Sequence, residues 1–372
     1  MQRFDSDAIL AHIRRWVEIE SPSDVPAAVN AMQDAIAADY AALPVTIERI
    51  AGTEGCGDHL VVRSRWGQFA PGILILSHAD TVHPLGFLKN RLPFRIEGDR
   101  AFGPGIYDMK GGLCLALQAF RAVAMAGSAP LGITHLIVSD EEIGSPSSRP
   151  LIEALGQQAK YVLVTEPARD GGKIVVGRKA TGDFLMTITG RAAHAGTHPQ
   201  NGRSAIRELA HQVLALEALN DPAAGVTVTV GVVRGGTRPN VIPELAEAEI
   251  DIRVPTLEAA DRLMPLILNR VAMTPDVTVR VTGGLNRPPF ERTNAGTALF
   301  EHARTLAAEI GIDLIGVVTG GGSDGNFTAR TTATLDGLGI DGEGAHTPNE
   351  QIYISSIVPR ALLMTRLLET LR

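Results

Sequence analysis

Cysteine is scarce in this sequence: Cys56 and Cys114 are the whole supply among 372 residues. Two thiols make no disulfide framework, and no CxxC pair offers a metal or redox motif. An excess of basic charge is also missing. The net charge of −7 argues against the cationic patch that a nucleic-acid-binding surface needs. No apolar run approaches the ~20 residues of a membrane span. The opening stretch, MQRFDSDAILAHIRRWVEIE, is charged and helical from its start, without the apolar core and cleavage site of a signal peptide. A soluble cytoplasmic protein is the expectation. The chain shows neither an internal repeat nor a low-complexity segment. No GxGxxG follows the first strand with an acid ~20 residues on, which counts against a nucleotide-binding dehydrogenase.

What remains is ample for a folded core. Apolar residues make up 45% of the chain and charged ones 20%, and the length suggests about two domains. The pivotal stretch is ILILSHADTVH, Ile73–His83. Ile73, Leu74, Ile75 and Leu76 read as a strand buried on both faces, the type found inside parallel sheets. His78 and Asp80 follow where that strand runs out, and functional groups gather at the carboxyl ends of such strands. An imidazole there can give one ring nitrogen to a metal while a carboxylate holds the other N–H. A surface histidine beside a helix-capping aspartate fits the same two residues.

Other strands end in the same way. Ile133–Val138 runs into Asp140, Glu141 and Glu142. Adjacent acids at a buried strand end repel one another unless a cation neutralises them, although a solvated acidic turn is the usual fate of such a run. Tyr161–Val164 ends in Thr165 and Glu166. Asp108 stands between a Gly/Pro turn and the helix expected over Leu113–Ala126. Taken alone it reads as that helix's cap. Three strands that end in histidine or carboxylate are what a metal site at one sheet edge would produce.

The remaining elements frame these. Helices are expected at Asp7–Val17, with Asp5 or Ser6 as cap, and at Ala27–Leu43. Short strands are expected at Val45–Ile50 and Leu60–Arg63. After Gly177 the rhythm changes. Gly182–Gly190, Val226–Val233, Ala246–Val254 and Val277–Val281 alternate like half-exposed strands, with helices at Ser204–Leu219 and Leu257–Met273. The order β-α-β-β-α-β predicts a ferredoxin-like unit inserted into an α/β domain. The expected boundaries are 1–177 and 289–372 for the α/β domain and 178–288 for the insertion. The first rhythm returns with a helix at Thr297–Ile310, the Gly320–Gly325 loop, AHTPNE, and a closing helix at Ser355–Leu371.

His78, Asp108, Glu142, Glu166 and His346 together offer five nitrogen or oxygen ligands. With Asp108 as a bridge they suit two divalent ions, zinc above all, with manganese or cobalt as alternatives. Paired ions ~3.5–4 Å apart hold a hydroxide for attack on a carbonyl. Glu141 is then left as the general base, and Asp80 as the partner of His78.

On SHADTVHP, GPGIYDMKGG, SDEEIGS, TEPA, RAAHAG, NVIPELAEAEIDIR, GGGSDGN and AHTPNE, in that order, the chain resembles a family of zinc metallopeptidases. The family includes glutamate carboxypeptidase, acetylornithine deacetylase and succinyl-diaminopimelate desuccinylase. The resemblance implies a mixed catalytic sheet flanked by helices, with the inserted α+β unit as a lid and dimerisation domain. It implies the same five ligands with Asp108 bridging, Glu141 as base, and a cis peptide at Asp108–Met109. It also implies that His194 stabilises the developing oxyanion in the partner subunit of a homodimer. Asn240 and Arg253 resemble residues that grip a substrate carboxylate, a task suited to an Arg fork. Arg287, in NRPPF, together with GGGSDG, resembles the bacterial glutamate carboxypeptidases in particular. His59, His83, His211 and His302 read as structural or surface residues. Glu343, just before His346, departs from the pattern and bears on substrate choice or metal affinity.

The expected activity is therefore a dinuclear-metal amidohydrolase that cuts N-acyl or peptidyl amino acids, preferably releasing a C-terminal glutamate. A deacylase of the acetylornithine type is the nearest alternative. A non-catalytic binding protein is disfavoured, because no proposed ligand is missing.

Overall fold

A computed structural model describes residues 4–67 and 71–372. Residues 1–3, which open the charged N-terminal stretch, lie outside this description, as do residues 68–70. The chain divides into two compact units. The first comprises residues 1–177, 292–318 and 323–372, and the second residues 178–291 and 319–322.

The first unit is built on a six-stranded mixed sheet. Its order is Val45–Ile50, His59–Ser64, Ile133–Val138, Ile73–His78, Tyr161–Val164, Ala333–Leu335. The last four strands run parallel, and the first two are antiparallel additions at one edge. The ILIL run lies between two parallel neighbours. Ile73 and Ile75 enter one apolar cluster, and Leu74 and Leu76 enter another on the opposite face. Alternating side chains of a strand point to opposite faces, so a strand covered on both sides must be apolar throughout. This strand does not stop at Leu76 but continues, fully buried, through Ser77 and His78. Ser77 can be buried because its hydroxyl is paired, 2.6 Å from Thr165 Oγ1 and 2.8 Å from His135 Nε2.

Helices Ser6–Val17, Pro26–Tyr40, Gly111–Ala126, Asn294–Glu309 and Ile357–Thr370 supply the larger cluster. Asp5 caps the first of them by accepting from the amides of Asp7 and Ala8. The smaller cluster lies under the helix Arg149–Gln158 and Phe327. That helix is short, with Pro150 in its first turn, a position proline tolerates.

The second unit has a four-stranded antiparallel sheet in the order Thr227–Gly235, Leu245–Val254, Ala180–Thr189, Thr278–Arg287. Phe184, Met186 and Ile188 alternate along one strand, and Ala246, Ala248, Ile250 and Ile252 along the next. They pack with Leu209 and Leu216 of helix Ala205–Glu217 and with Leu263 and Ile267 of helix Leu257–Leu268. The result is the expected ferredoxin-like arrangement. The second helix ends at Leu268 and does not reach Met273. The amides of Met273 and Thr274 are used instead by the buried carboxylate of Glu208, at 2.9 and 2.7 Å.

Candidate metal centre

The strand ends of the first unit deliver the acids and imidazoles to one place. His78 is the last residue of its strand and is 1% exposed. Glu141 and Glu142 begin a single 3₁₀ turn after the neighbouring strand. Glu166 follows the strand on the other side and is buried. Asp108 arrives on a turn that precedes helix Gly111–Ala126, and the cap position of that helix is Lys110. Asp108 is therefore free of the capping role. The peptide between Asp108 and Met109 is cis. Gly112 lets the helix backbone press against the chain next to Glu166: a Cβ there would stand 2.0 Å from the Thr165 carbonyl oxygen. His346 lies far along the chain in a left-handed conformation, φ 63°, with its side chain half-exposed.

The donor atoms converge. His78 Nε2 is 3.2 Å from Asp108 Oδ1 and 3.8 Å from Glu166 Oε1. His346 Nε2 is 3.3 Å from Asp108 Oδ2 and 3.1 Å from Glu142 Oε2. Glu141 belongs to the His78 and Glu166 side, with ligand atoms all within 4.8 Å of one another. Two ligand atoms each ~2.1 Å from a tetrahedral ion lie ~3.4 Å apart, which is the range of these separations. Asp108 thus turns one oxygen to each imidazole.

The electrostatics carry the mark of a cation site. Burial and the Asp108 charge push the Glu142 carboxyl up, and Glu142 Oε1 is buried with no hydrogen-bond partner. Burial would raise Asp108 too, but hydrogen bonds and charge from His346 and His78 hold it well below the usual carboxylate range. The carboxylates of Asp108 and Glu142 in turn raise His346 to about 11. Burial opposes protonation of His78, yet Asp108, Asp80 and Glu166 together raise it well above an ordinary histidine. Two raised imidazoles thus face crowded carboxylates in a set of nitrogen and oxygen donors. A divalent cation suits that set by chemistry and by spacing.

Asp80 does more than its sequence position suggests. Its backbone carbonyl is 3.0 Å from His78 Nδ1, nearer than its carboxylate at 3.4 Å. The carboxylate accepts from Ser23 Oγ at 2.7 Å and from the amides of Glu141 and Glu142 at 3.3 and 3.1 Å. It therefore orients His78 and also fastens the turn that carries two acids of the site. Asp140, the first acid of that run, faces elsewhere. It is fully buried and accepts from the amides of Ser147 and Ser148. Ser145 ties the same loop to Asp324 of the glycine-rich segment, Oγ to Oδ1 at 2.5 Å. Glu343 is exposed, and its carboxylate accepts from Gln351 across a short ladder. Ser23, Ser145 and Asp324 reach their partners across long sequence separations. Ser23 and Ser145 are common residues in loops, and nothing in their spacing marks them.

The second unit holds the other expected site residues. His194 and Asn240 are both exposed and adjoin the small ladder that pairs Ala193–His194 with Val241–Ile242. His194 Nδ1 accepts from the amides of Gly196 and Thr197 at 3.1 and 3.2 Å, so the ring proton belongs on Nε2. Arg253 lies on the sheet, its fork bound to Asp251 at 3.0 and 2.7 Å. Arg287 is buried at the end of the last strand.

Comparison with known proteins places this arrangement. Residues 74–370 match the model of "Peptidase family M20/M25/M40". The chain is 31% identical to carboxypeptidase G2 from Pseudomonas sp. (strain RS-16) over 369 residues, 97% of this chain and 88% of that one. It is 28% identical over 340 residues to succinyl-diaminopimelate desuccinylase from Psychrobacter arcticus, covering 85% of this chain and 83% of the relative. Its fold matches a Staphylococcus aureus tripeptidase with TM-score 0.80 at 21% identity, covering 99% of both chains. An M20 family metallo-carboxypeptidase from Sulfolobus solfataricus matches with TM-score 0.73 at 16% identity, over 97% of this chain and 98% of that one. The strand-end acids, the paired imidazoles and these matches agree: the chain belongs to peptidase family M20/M25/M40 and is a metal-dependent hydrolase.

Proposed function

We propose that the chain binds two divalent ions, zinc by preference, and hydrolyses the amide bond of an N-acyl or peptidyl amino acid, releasing a C-terminal glutamate. The observation that carries this reading is Asp108, whose two oxygens face different imidazoles at 3.2 and 3.3 Å. His78, Asp108 and Glu166 would hold one ion; Asp108, Glu142 and His346 would hold the other. Paired cations of this type polarise a carbonyl and lower the pKa of water.

The chain's own groups do the rest. Glu141, on the same turn as Glu142, takes a proton from the attacking water and returns it to the leaving amine. His194 donates from Nε2 to the developing oxyanion, a role supported by the two amides that fix its tautomer. Asn240 and Arg253 take the substrate's terminal carboxylate; for Arg253 this means exchanging Asp251 for the substrate. Arg287 serves the acidic side chain. The identity to carboxypeptidase G2 supports action as a carboxypeptidase.

A homodimer through the second unit belongs to the same reading, with His194 of one protomer serving its partner. Strand Thr227–Gly235 is a sheet edge, exposed on both faces from Gly231 onward, with Val232 and Val233 39% and 55% accessible. Apolar edge strands of this kind invite pairing. Val233→Glu should shift a dimer to monomers in sedimentation; a wild-type chain that sediments as a monomer would contradict the dimer. Among the described residues no helix is long and apolar enough to cross a membrane. Both cysteines are buried and unpaired, which suits a reducing cytoplasm.

The test is a substrate panel with zinc-, manganese- and cobalt-loaded protein. Peptidyl- and folyl-glutamates should be cut with kcat/KM at least ~10-fold above N-acetyl- and N-succinyl-amino acids. The reverse ranking would favour the deacylase alternative, which the desuccinylase relatives suggest.

A further inference from the structure

The last residue of AHTPNE is absorbed by none of the roles above. Glu350 follows His346 by four positions and is 1% exposed. Its carboxylate accepts from four donors. Oε1 takes the amides of Tyr107 and Asp108 at 2.9 and 3.0 Å. Oε2 takes the amide of Gly105 at 2.9 Å and His83 Nε2 at 2.7 Å. Three amides of the turn that delivers Asp108, those of Gly105, Tyr107 and Asp108, thus surround one carboxylate, an anion-binding concavity of backbone N–H groups. The turn needs Gly105 at φ 67°, and a Cβ there would stand 2.5 Å from Thr81 Cγ2. His83 belongs to the loop that follows His78, so Glu350 ties together the segments that carry His78, Asp108 and His346.

Resting on the metal reading above, we infer that Glu350 is a positioning residue: it holds Asp108 between the two ions by fixing that residue's own amide, and His83 fixes Glu350 in turn. A carboxylate supplies enough lone pairs for all four donors, and an amide does not. In Glu350→Gln one oxygen becomes an NH₂ group that faces N–H donors. If it faces Tyr107 and Asp108, both lose their acceptor. If it faces His83, a tautomer change can satisfy the ring, but Gly105 N–H is stranded. Either way the turn beneath Asp108 must shift. Loss of outer partners of metal ligands typically weakens binding 10–100-fold.

The experiment is calorimetric titration of metal-free protein with zinc, together with the d–d absorption of the cobalt form, on wild type, Glu350→Gln and His83→Asn. Wild type should take up two ions. Glu350→Gln should lose about 10–100-fold in affinity and change the cobalt spectrum. His83→Asn, which removes only one of four donors, should move in the same direction by less and covers the case in which Glu350→Gln fails to fold. A purely structural Glu350 would lower the melting temperature of the metal-free protein and leave affinity and spectrum unchanged. Two ions bound by wild type and bound equally well by the folded variants would overturn this inference alone. Wild type that binds no ion would overturn the metal reading as well.

Discussion

His346 Nε2 stands 3.3 Å from Asp108 Oδ2, although the whole Arg178–Glu291 segment separates the two residues in sequence. The other oxygen of Asp108 meets His78. One carboxylate therefore joins two halves of a site, and the halves should respond differently to mutation. His346→Ala should leave about one ion bound per chain, and Asp108→Ala none, as read by elemental analysis of dialysed protein. Loss of a single ion in the Asp108 variant would show that it does not bridge.

Glu141 and Glu142 share a turn and are assigned different tasks. General-base catalysis contributes roughly 10²–10⁴-fold. Glu141→Ala should cost at least that much in kcat while the metal content stays at the wild-type level. Normal turnover by this variant would remove Glu141 from the mechanism.

Asp80 supports the site from beneath. It accepts from the turn that carries Glu141 and Glu142 as well as lying beside His78. Asp80→Asn keeps the shape, but its NH₂ group would face N–H donors. Metal affinity should fall about 10–100-fold in a competition titration against a chromogenic chelator. An unchanged affinity would reduce Asp80 to a bystander.

The second unit offers a pH test remote from the metal centre. Glu208 is fully buried. Burial would raise its carboxyl, but hydrogen bonds from Gln212, Thr274 and Met273 pull it down from 4.5 to about 2. A depressed folded value contributes stability that is complete above about 4.5 and is lost as the pH falls toward about 2. Glu208→Gln should destabilise the neutral protein by about 1–3 kcal/mol and flatten the acid limb of the stability curve in that window. Denaturant melts of the full chain at pH 7 and pH 3 measure both effects. An equal loss at the two pH values would contradict the assignment.

Much of this was legible in the residues alone, for physical reasons. The ILIL run announces a strand buried on both faces, because no polar alternation is tolerated there, and it fixes where His78 must emerge. The alternation in Ala180–Thr189 and Leu245–Val254 marks a sheet with one face covered. Other features left no local trace. Ser77 looks like a strand terminator until its partners His135 and Thr165 are known. The expected helix over Leu257–Met273 ends at Leu268, and Glu208, distant in sequence, takes the amides of Met273 and Thr274. Asp80's grip on the Glu141–Ile143 turn and Glu350's grip on the Asp108 turn are contacts across long sequence separations. Of the three acids after Val138, Asp140 accepts from the amides of Ser147 and Ser148, and its two neighbours belong to the groups that could hold a metal ion.

The central claim is that two cations sit on either side of Asp108. Anomalous difference maps from crystals of the zinc- or cobalt-loaded protein test it most directly. Two peaks are expected, one among His78, Asp108 and Glu166, the other among Asp108, Glu142 and His346. Peaks elsewhere, or a fully active crystal form with none, would contradict it.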